Sequence, residues 1–349
     1  MMLTVVHQQS VCRTFVFLLV DGFSMMSLAS AIEPLRSFNR LIGEERFAWR
    51  LARVGEGPVY ASNGLAFETQ PVSEAINGAE ILFVCGGLRI KLPNERIYHA
   101  ALRRAARLGL ALGSLSTGGS LLARAGLLKG YRCTIHWENR LAFQEEFPSI
   151  NCTDKIYEID NDRLTCSGGT AAMDLMLRLI GDEYGQGIAL RVANQFHHDR
   201  IRNEEEEQRG GRRDRRNSLP LLLQTAISLM EADIESPVDI ATIADEIGLS
   251  IRQLQRLFLQ HTATTPARFY ITLRIEHARE MLLYSDISTL EICIATGFSS
   301  MSHFSHWFKQ VYGMTPTAFR QLQTHGASTA VRRRRENQAD LKDSASSRR

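Results

Sequence analysis

The chain has 349 residues, of which 44% are hydrophobic, and its formal net charge is +3. This length and apolar content predict two or more packed domains, whereas so mild a charge does not by itself indicate a nucleic-acid partner. The six cysteines include no C-x-x-C pair, which argues against a disulfide framework or a zinc site, and we expect no cofactor. No segment approaches the roughly 20 apolar residues of a membrane span. The N-terminus also lacks a secretory pattern, so we expect a cytoplasmic protein with no membrane partner.

The first two hundred residues alternate between short apolar runs and amphipathic stretches. The runs are typical of strands buried on both faces, and the stretches between them have helical spacing. The predicted strands are Thr14–Val20, Phe47–Val54, Ala79–Val84, Leu110–Leu115 and Arg163–Cys166. The predicted helices are Met26–Leu41, Glu95–Leu108, one that ends near Ala125, and Thr170–Ile180. This order predicts an α/β domain with an open, mostly parallel, flavodoxin-like sheet.

Several polar and glycine-rich turns fall at the carboxyl ends of these strands, where such sheets bind their ligands. The turns are Asp21-Gly22, Cys85-Gly86-Gly87 and Ser116-Thr117-Gly118-Gly119, and His136-Trp137-Glu138 is expected near the same edge. None contains a G-x-G-x-x-G pattern or a P-loop Lys-Ser/Thr pair. We therefore interpret the glycines as tight strand-to-helix turns rather than as phosphate sites.

These segments resemble the PfpI-like domain of the class I glutamine-amidotransferase-like proteins. The resemblance is carried by FLLVDGFSMM at 17–26, AIEPL at 31–35, CGG at 85–87, STG at 116–118, LLARAGLL at 121–128, CTIHWE at 133–138 and CSGGTAAMD at 166–174. Order and spacing agree over residues 12–202, which we predict to be a domain of this fold.

The resemblance leaves open whether the domain is an enzyme or a sensor. Catalytic relatives have a nucleophilic Cys where this chain has Ser116, and a Glu near the first strand, where this chain reads Met25-Met26-Ser27. A serine hydroxyl needs an adjacent base, and although His136 and Glu138 are candidates, no complete triad is evident. We therefore predict no catalytic residue and regard Ser116 as a degenerate nucleophile position.

A sensor would use the same edge to bind a small molecule. Trp137 offers an aromatic face and Glu138 a carboxylate, and together they suit a cationic group. The alternative is a Trp packed in the core beside a surface Glu. The predicted ligand-binding residues are Ser116, Thr117, His136, Trp137 and Glu138.

Residues 203–218 have almost no apolar side chains and pass from Glu204–Glu207 into a run of arginines. This composition predicts an extended, mobile, charged linker between two domains. A basic tail over 324–349, which includes Arg332–Arg335, is expected to be disordered. The basic half of the linker and the tail either bind phosphate non-specifically or remain solvated.

A helix-turn-helix is predicted between Asp239 and Gln260. Ile240, Ile243, Ala244 and Ile247 form an apolar stripe on the first helix. Gly248 can end that helix in the left-handed conformation, and Ser250 can cap the next one. The second helix is predicted to bury Ile251, Leu254, Leu257 and Phe258 and to expose Arg252, Gln253, Gln255 and Arg256. Arg pairs with guanine and Gln with adenine in the major groove, although an amphipathic helix pair with a solvated face is the alternative.

Residues 290–311 repeat this pattern. Leu290, Ile294 and Ala295 mark the first helix, Gly297-Phe298-Ser299 the turn, and Phe304 and Phe308 the anchors of the second. The candidate DNA contacts of this copy are Met301, Ser302, Ser305 and His306. Pro266–Tyr284 is predicted to be one long helix that joins the copies, which would set the two reading helices about one helical turn of DNA, roughly 34 Å, apart.

The second half of the chain resembles the AraC/XylS family of transcription regulators. The resemblance is carried by GLS at 248–250, LQR at 254–256, GFSS at 297–300, SHF at 302–304, FK at 308–309, YGMTP at 312–316 and FR at 319–320. It covers 219–323 and implies an all-α, seven-helix module that binds promoter DNA, in most members as an activator. His306 departs from the pattern, because many relatives have a basic residue there, so we expect the second reading helix to contribute mostly backbone contacts.

The two resemblances together identify the chain as similar to the GlxA group, whose members sense amino-acid- or betaine-like metabolites. We therefore predict a sequence-specific transcription regulator, an activator of a catabolic operon that responds to such a metabolite. The expected partners are promoter DNA, the small-molecule effector, RNA polymerase and a second copy in a homodimer. The alternative is a PfpI-like amidase or hydrolase with a DNA-binding appendage.

Overall fold

The computed structural model describes residues 12–208, except 89, 91 and 93, and residues 219–322. The chain divides into two compact units, Met1–Gly210 and Gly211–Arg349. The predicted basic tail and residues 209–218 of the predicted linker lie outside the described residues.

The first unit is built on a seven-stranded sheet. Its spatial order is β10 (Tyr157–Asp160), β11 (Arg163–Cys166), β7 (Ala111–Leu115), β6 (Ile81–Cys85), β1 (Arg13–Leu19), β2 (Phe47–Arg53) and β5 (Gln70–Pro71). Every neighbouring pair is parallel except β10 with β11. The predicted open, mostly parallel sheet is therefore confirmed, and all five predicted strands are present.

Two further pairs of short strands complete the described β structure of this unit. They are β3 (Val59–Tyr60) with β4 (Ala66–Phe67), and β8 (Arg132–Thr134) with β9 (Asn151–Thr153). Strands of two or three residues are too short for a periodicity signal, which is why the sequence does not predict them.

Helices cover both faces of the sheet, as the apolar strands require. The helices are α1 (Met25–Ile42), α2 (Val72–Ala75), α3 (Glu95–Arg107), α4 (Gly118–Arg124), α5 (Arg140–Glu146), α6 (Ala171–Tyr184) and α7 (Gln186–Asn194). Along β1, Phe15 and Phe17 enter the core beneath α1, α6 and α7, whereas Val16 and Leu18 enter the core beneath α2 to α5. Because successive side chains of a strand alternate between faces, one continuous apolar run supplies both cores.

Residues 200–208, which we call the strap, pack against the rest of the first unit. The predicted linker therefore does not begin at residue 203. The Nε2 of Gln208 donates to Thr134 Oγ1 at 3.0 Å and to Ile135 O at 2.9 Å. The backbone N–H of Gln208 also donates to Asp154 O at 2.8 Å. Charged composition predicts a solvated linker, but here the polar groups satisfy partners on the domain, and the folded unit continues to Gln208.

All the regular secondary structure in the described part of the second unit is helical. Its helices are α8 (Leu221–Ala232), α9 (Ile240–Glu246), α10 (Ile251–Thr262), α11 (Pro266–Tyr284), α12 (Thr289–Ala295) and α13 (Met301–Tyr312), followed by a seventh over residues 316–322. The all-α domain with two helix-turn-helix units is therefore confirmed, as is the long connecting helix, whose bounds match the predicted ones.

The two helix-turn-helix units have separate cores. Leu254 and Phe258 lie in the first, and Phe304 and Phe308 in the second. Helix α11 belongs to both, because residues of its first half pack in the first core and most apolar residues of its second half in the other. In the described part of the chain, no helix is long and apolar enough to cross a membrane, and no cluster of His, Cys, Asp or Glu side chains could hold a metal ion.

Candidate nucleic-acid interface and ligand pocket

The first turn is built as the sequence predicts. Gly248 has a φ of 71° and follows the end of α9. Ser250 then caps α10: its hydroxyl accepts from the Gln253 backbone N–H at 3.3 Å, and its own N–H donates to Gln253 Oε1 at 2.8 Å. Such a reciprocal capping box fixes where the helix begins.

Helix α10 presents a polar face to solvent. Leu254 and Phe258 are fully buried. Arg252, Gln255 and Arg256, three and four residues apart on one side of the helix, are all exposed. This exposed stripe contains two guanidinium groups and no carboxylate, which suits the acceptor-rich edges of bases and the phosphates beside them.

The structure corrects two predictions for α10, the burial of Ile251 and the availability of the Gln253 side chain. Ile251, which the periodicity assigns to the core, is 46% exposed, because the first residue of a helix has no preceding turn to cover it. Gln253 is exposed, but its amide oxygen is used in the cap, so only its NH₂ group remains for a base.

Helix α13 presents a different face. Ser300 caps it through the His303 backbone N–H at 3.3 Å, and Phe304 and Phe308 are fully buried. Trp307 Nε1 donates to His303 Nε2 at 2.8 Å, so this surface is aromatic rather than basic. Of the predicted contacts, Ser302 and His306 are exposed, and Met301 and Ser305 are half-buried.

The apolar face of α12 is not the one that the sequence predicts. Ile292 and Cys293 are buried, whereas Leu290 and Ile294 are 56% and 53% exposed. In a helix of seven residues, two adjacent buried positions are sufficient, and the spacing of apolar residues does not define which they are.

An open pocket of about 360 Å³ lies beyond the carboxyl end of β11 in the first unit. Its wall is formed by the turn from β11 to α6, by the loop after β8, and by the strap. The lining residues are His136, Trp137, Ile156, Ser167, Gly168, Gly169, Thr170, Ala171, Arg200, Arg202, Glu206, Glu207 and Gln208. The position agrees with the predicted sheet edge.

The charges of the pocket wall are held in place by ion pairs. Arg200 forms two hydrogen bonds with the Glu206 carboxylate, at 2.8 and 2.7 Å. Arg202 binds the fully buried carboxylate of Asp174 through Nε at 2.9 Å and Nη2 at 2.6 Å, and His198 contacts the same carboxylate at 2.8 Å. None of the described residues hydrogen-bonds Arg202 Nη1.

Only two of the five predicted ligand-binding residues line this pocket. His136 is one, and burial lowers the pKa of its imidazole against the opposing effect of Glu138. Trp137 is the other, and at 37% exposure it is not a core residue. Thr117 is buried, its hydroxyl donating to Gly87 O, and Ser116 is buried nearby. Glu138 lies 3.9 Å from His136 Nδ1, outside the pocket wall.

The degenerate nucleophile position keeps its strained backbone. Ser116 has a φ of 59°, a left-handed conformation that costs energy in a non-glycine residue and recurs at functional turns. A Cβ on Gly168 would lie 2.9 Å from both Ser116 Cβ and Ser27 Oγ, so two serines flank this turn. None of the described residues hydrogen-bonds the Ser116 hydroxyl. Burial raises the pKa of the Cys166 thiol to about 12, so it is not a substitute nucleophile.

The sequence does not predict that the strap lines the pocket. Arg200, Arg202, Glu206, Glu207 and Gln208 belong to a stretch whose composition is that of a linker. The available signal was two arginines followed by the four glutamates Glu204–Glu207, opposite charges close in sequence, which also fits solvated charge.

Two family models match the chain. A DJ-1/PfpI family model covers residues 13–182, and a helix-turn-helix domain model covers residues 243–322.

Proteins similar over most of the chain are named HTH-type transcriptional regulators. GbdR of Pseudomonas aeruginosa is 39% identical over 89% of this chain and 84% of its own. CdhR of the same organism is 38% identical over 89% of this chain and 92% of its own, and GlxA of Rhizobium meliloti is 37% identical over 87% and 94%. A solved AraC family transcriptional regulator from Pseudomonas putida is 33% identical, covers 53% of this chain and 99% of its own, and aligns with a TM-score of 0.49.

Proposed function

Because this chain belongs to the AraC/XylS family of transcription regulators, in the GlxA group that joins a PfpI-like domain to the helix-turn-helix module, we propose that it activates a catabolic operon in response to an amino-acid- or betaine-like metabolite. The observation that carries the DNA-reading part is the exposed stripe of Arg252, Gln255 and Arg256 on α10. Guanidinium and amide groups on one capped helix make specific base contacts possible.

The pocket of the first unit is our proposed effector site. A zwitterion carries a carboxylate and a cationic nitrogen, and the wall offers a partner to each. Arg202 keeps Nη1 for a carboxylate while Asp174 holds the rest of its guanidinium. The half-exposed Trp137 ring and the carboxylate of Glu207 suit a primary or quaternary ammonium.

We propose that the strap couples the pocket to DNA binding. Five of the lining residues belong to it, and its last residue, Gln208, leads directly into residues 209–218 and the second unit. Its backbone pairs with residues 154–156, since Ile156 N donates to Glu206 O at 2.9 Å. An effector that binds the strap in one arrangement more tightly than in another would change how the DNA-binding unit is presented.

We propose that the first unit is not an enzyme. A serine nucleophile requires a base within hydrogen-bond reach, and Ser116 has none among the described residues. Its neighbour Ser27 belongs to the segment where catalytic relatives have a Glu, and a hydroxyl does not replace that carboxylate as an acid or base. Ser116→Ala is therefore expected to leave effector binding and the response of DNA affinity unchanged, whereas a hydrolase would lose its turnover.

A thermal-shift screen followed by a DNA-binding assay tests the proposal. The full-length protein is mixed with each amino acid and with N-trimethylated amino acids, and the affinity for an operator selected from random duplexes is measured by fluorescence anisotropy. We expect at least one compound to raise the Tm and to change the DNA affinity. Trp137→Ala should abolish both effects, whereas Leu108→Ala, which removes another exposed apolar side chain away from the pocket, should not. No response to any compound would leave a constitutive DNA-binding protein.

The coupling has its own test in Gln208→Ala, which removes the hydrogen bonds from the side chain to Thr134, Ile135 and Lys155. Because Gln208 also lines the pocket, the variant is measured at effector concentrations that saturate it, as followed by the Tm, and we expect it to lose most of the effector's influence on DNA affinity. An unchanged influence would show that the strap does not transmit the signal.

The remaining partners follow from this role. We propose that the protein acts in the cytoplasm, as a homodimer on a repeated operator and together with RNA polymerase. Sedimentation with and without the operator tests the dimer, and transcription in vitro with purified polymerase tests activation.

A further inference from the structure

The turn of the second helix-turn-helix is held from two sides by other parts of its own unit. On one side, Arg274 of α11 donates from Nε to Thr296 O at 2.8 Å and from Nη2 to Gly297 O. Its guanidinium also lies over the Phe298 ring, 4.2 Å from the centroid. One half-buried side chain therefore binds three consecutive residues of the turn.

On the other side, Gly297 packs against the loop between α8 and α9. A Cβ on Gly297 would lie 2.5 Å from Ile234 O and 2.6 Å from Pro237 Cγ. Ile234 packs in the core of the first helix-turn-helix. The turn of the second copy is therefore wedged between the connecting helix and the first copy.

The first turn has no such support from the described part of the chain. Among these residues, nothing lies within 4 Å of the position that a Cβ on Gly248 would occupy, and Gly248 is exposed. Each reading helix is anchored in its own core, but only the second turn is in addition fixed relative to the first copy, through Arg274 and the Gly297 contact.

We infer that Arg274 is a positioning residue that sets the register between the two reading helices, and thereby the spacing between the two DNA segments that the protein accepts. Two reading helices can bind one duplex at the same time only if their separation and relative rotation match the helical repeat of DNA. An inserted base pair moves the second DNA segment along and around the duplex, so a rigid pair of helices must lose contacts at one of them. If the Arg274 contacts are removed, α13 can follow the displaced segment.

The test measures spacing discrimination with the full-length protein. An operator is selected from random duplexes, and variants are made with one base pair inserted or deleted between the two protected segments. We expect the wild type to lose affinity about tenfold or more for each change, since the DNA contacts of one reading helix are lost. Arg274→Met keeps the aliphatic length but removes the donors, and the loss should shrink to about threefold or less. Arg268→Met is the matched control, because Arg268 is exposed on the same helix, and it should discriminate as the wild type does.

Thermal unfolding and far-UV circular dichroism establish that each variant is folded. If Arg274→Met does not fold, Pro237→Ala loosens the opposite side of the wedge without touching Arg274, and it too should reduce the discrimination. A folded Arg274→Met or Pro237→Ala protein that keeps the full tenfold discrimination would overturn the inference, as would a wild type with no spacing preference.

The inference rests on the proposal that both reading helices contact DNA. A wild type that selects no operator, or whose footprint covers one major-groove segment only, would overturn that proposal. Full discrimination in a folded variant would overturn the role of Arg274 alone.

Discussion

The two helix-turn-helix units share one backbone design but differ in what surrounds it. Gly248 and Gly297 have φ values of 71° and 70°, and serine caps the helix after each turn. Yet no described residue fills the space beside Gly248, whereas Ile234 and Pro237 fill that beside Gly297. A repeated motif therefore fixes local geometry, while its role in the molecule depends on what packs against the turn.

The chemistry of the reading faces differs in the same sense. Helix α10 exposes Arg252 and Arg256, whereas α13 exposes Ser302 and His306 beside the hydrogen-bonded pair of His303 and Trp307. The copy with the freer turn carries the groups suited to reading bases, and the copy with the wedged turn carries few charges. We interpret the first as the main source of specificity and the second as a positioned support.

The largest expected difference is in stability. Gly248→Ala introduces only the strain of a left-handed backbone, so it should lower the free energy of unfolding by about 1–2 kcal/mol. Alanine at Gly297 has the same strain and also overlaps Ile234 O, so it should cost about 3 kcal/mol or more. Urea unfolding of the two full-length variants, followed by far-UV circular dichroism, measures the difference. Equal destabilisation would mean that the wedge relaxes without cost.

The wedge shows where sequence analysis reaches its limit. The periodicity of Leu254 with Phe258 and of Phe304 with Phe308 predicts both helices, and a glycine followed by a capping serine predicts both turns. Nothing in the sequence indicates that Arg274, one of several polar residues on a long helix, binds a turn twenty-two residues further on. Contacts that join distant segments depend on tertiary packing, which local patterns do not encode.

The same limit applies to the α/β unit, Met1–Gly210. Continuous apolar runs predict its sheet and the edge at which a ligand would bind. They do not predict that a stretch with the composition of a linker folds back to line the pocket, because composition reports solubility and not the partners that each polar group finds. His136 and Trp137 are expected near the predicted sheet edge, whereas Arg200 and Arg202 become part of the wall only through Glu206 and Asp174.

The next difference is in DNA affinity. Arg256→Ala should weaken operator binding by about 1–3 kcal/mol if the guanidinium reads a base. His306→Ala on the second reading helix should cost less than about 1 kcal/mol, because the imidazole is not a bidentate reader of guanine. Fluorescence anisotropy at one fixed salt concentration measures both. A larger loss at His306 than at Arg256 would reverse the assignment of main and supporting helix.

The caps provide a smaller comparison. Ser250 takes part in a reciprocal capping box with Gln253, whereas Ser300 caps α13 through the His303 N–H alone. Ser250→Ala should destabilise by about 1 kcal/mol and Ser300→Ala by about half of that. Both values come from urea unfolding, and Thr225→Ala on α8, whose hydroxyl only bonds back to Leu221 O, is a suitable control. The comparison fails if Ser300→Ala proves the more damaging variant.

The smallest expected effect is on the pH dependence of stability, and here the two helix-turn-helix motifs should behave alike. Asp239 accepts hydrogen bonds from the Thr242 hydroxyl and from the backbone N–H groups of Thr242 and Ala241, and these lower the pKa of its carboxyl. In the second helix-turn-helix, hydrogen bonds from Ser288 lower the pKa of the Glu291 carboxyl. A carboxyl whose folded pKa is depressed stabilises the fold above its unfolded pKa, about 4, and loses that contribution as the pH falls through the folded value. Asp239→Asn and Glu291→Gln keep an acceptor oxygen but do not titrate, so each should flatten the fall in Tm between pH 5 and pH 3 by a similar small amount. Tm profiles of the variants that run parallel to that of the wild type would show that neither cap contributes to acid sensitivity.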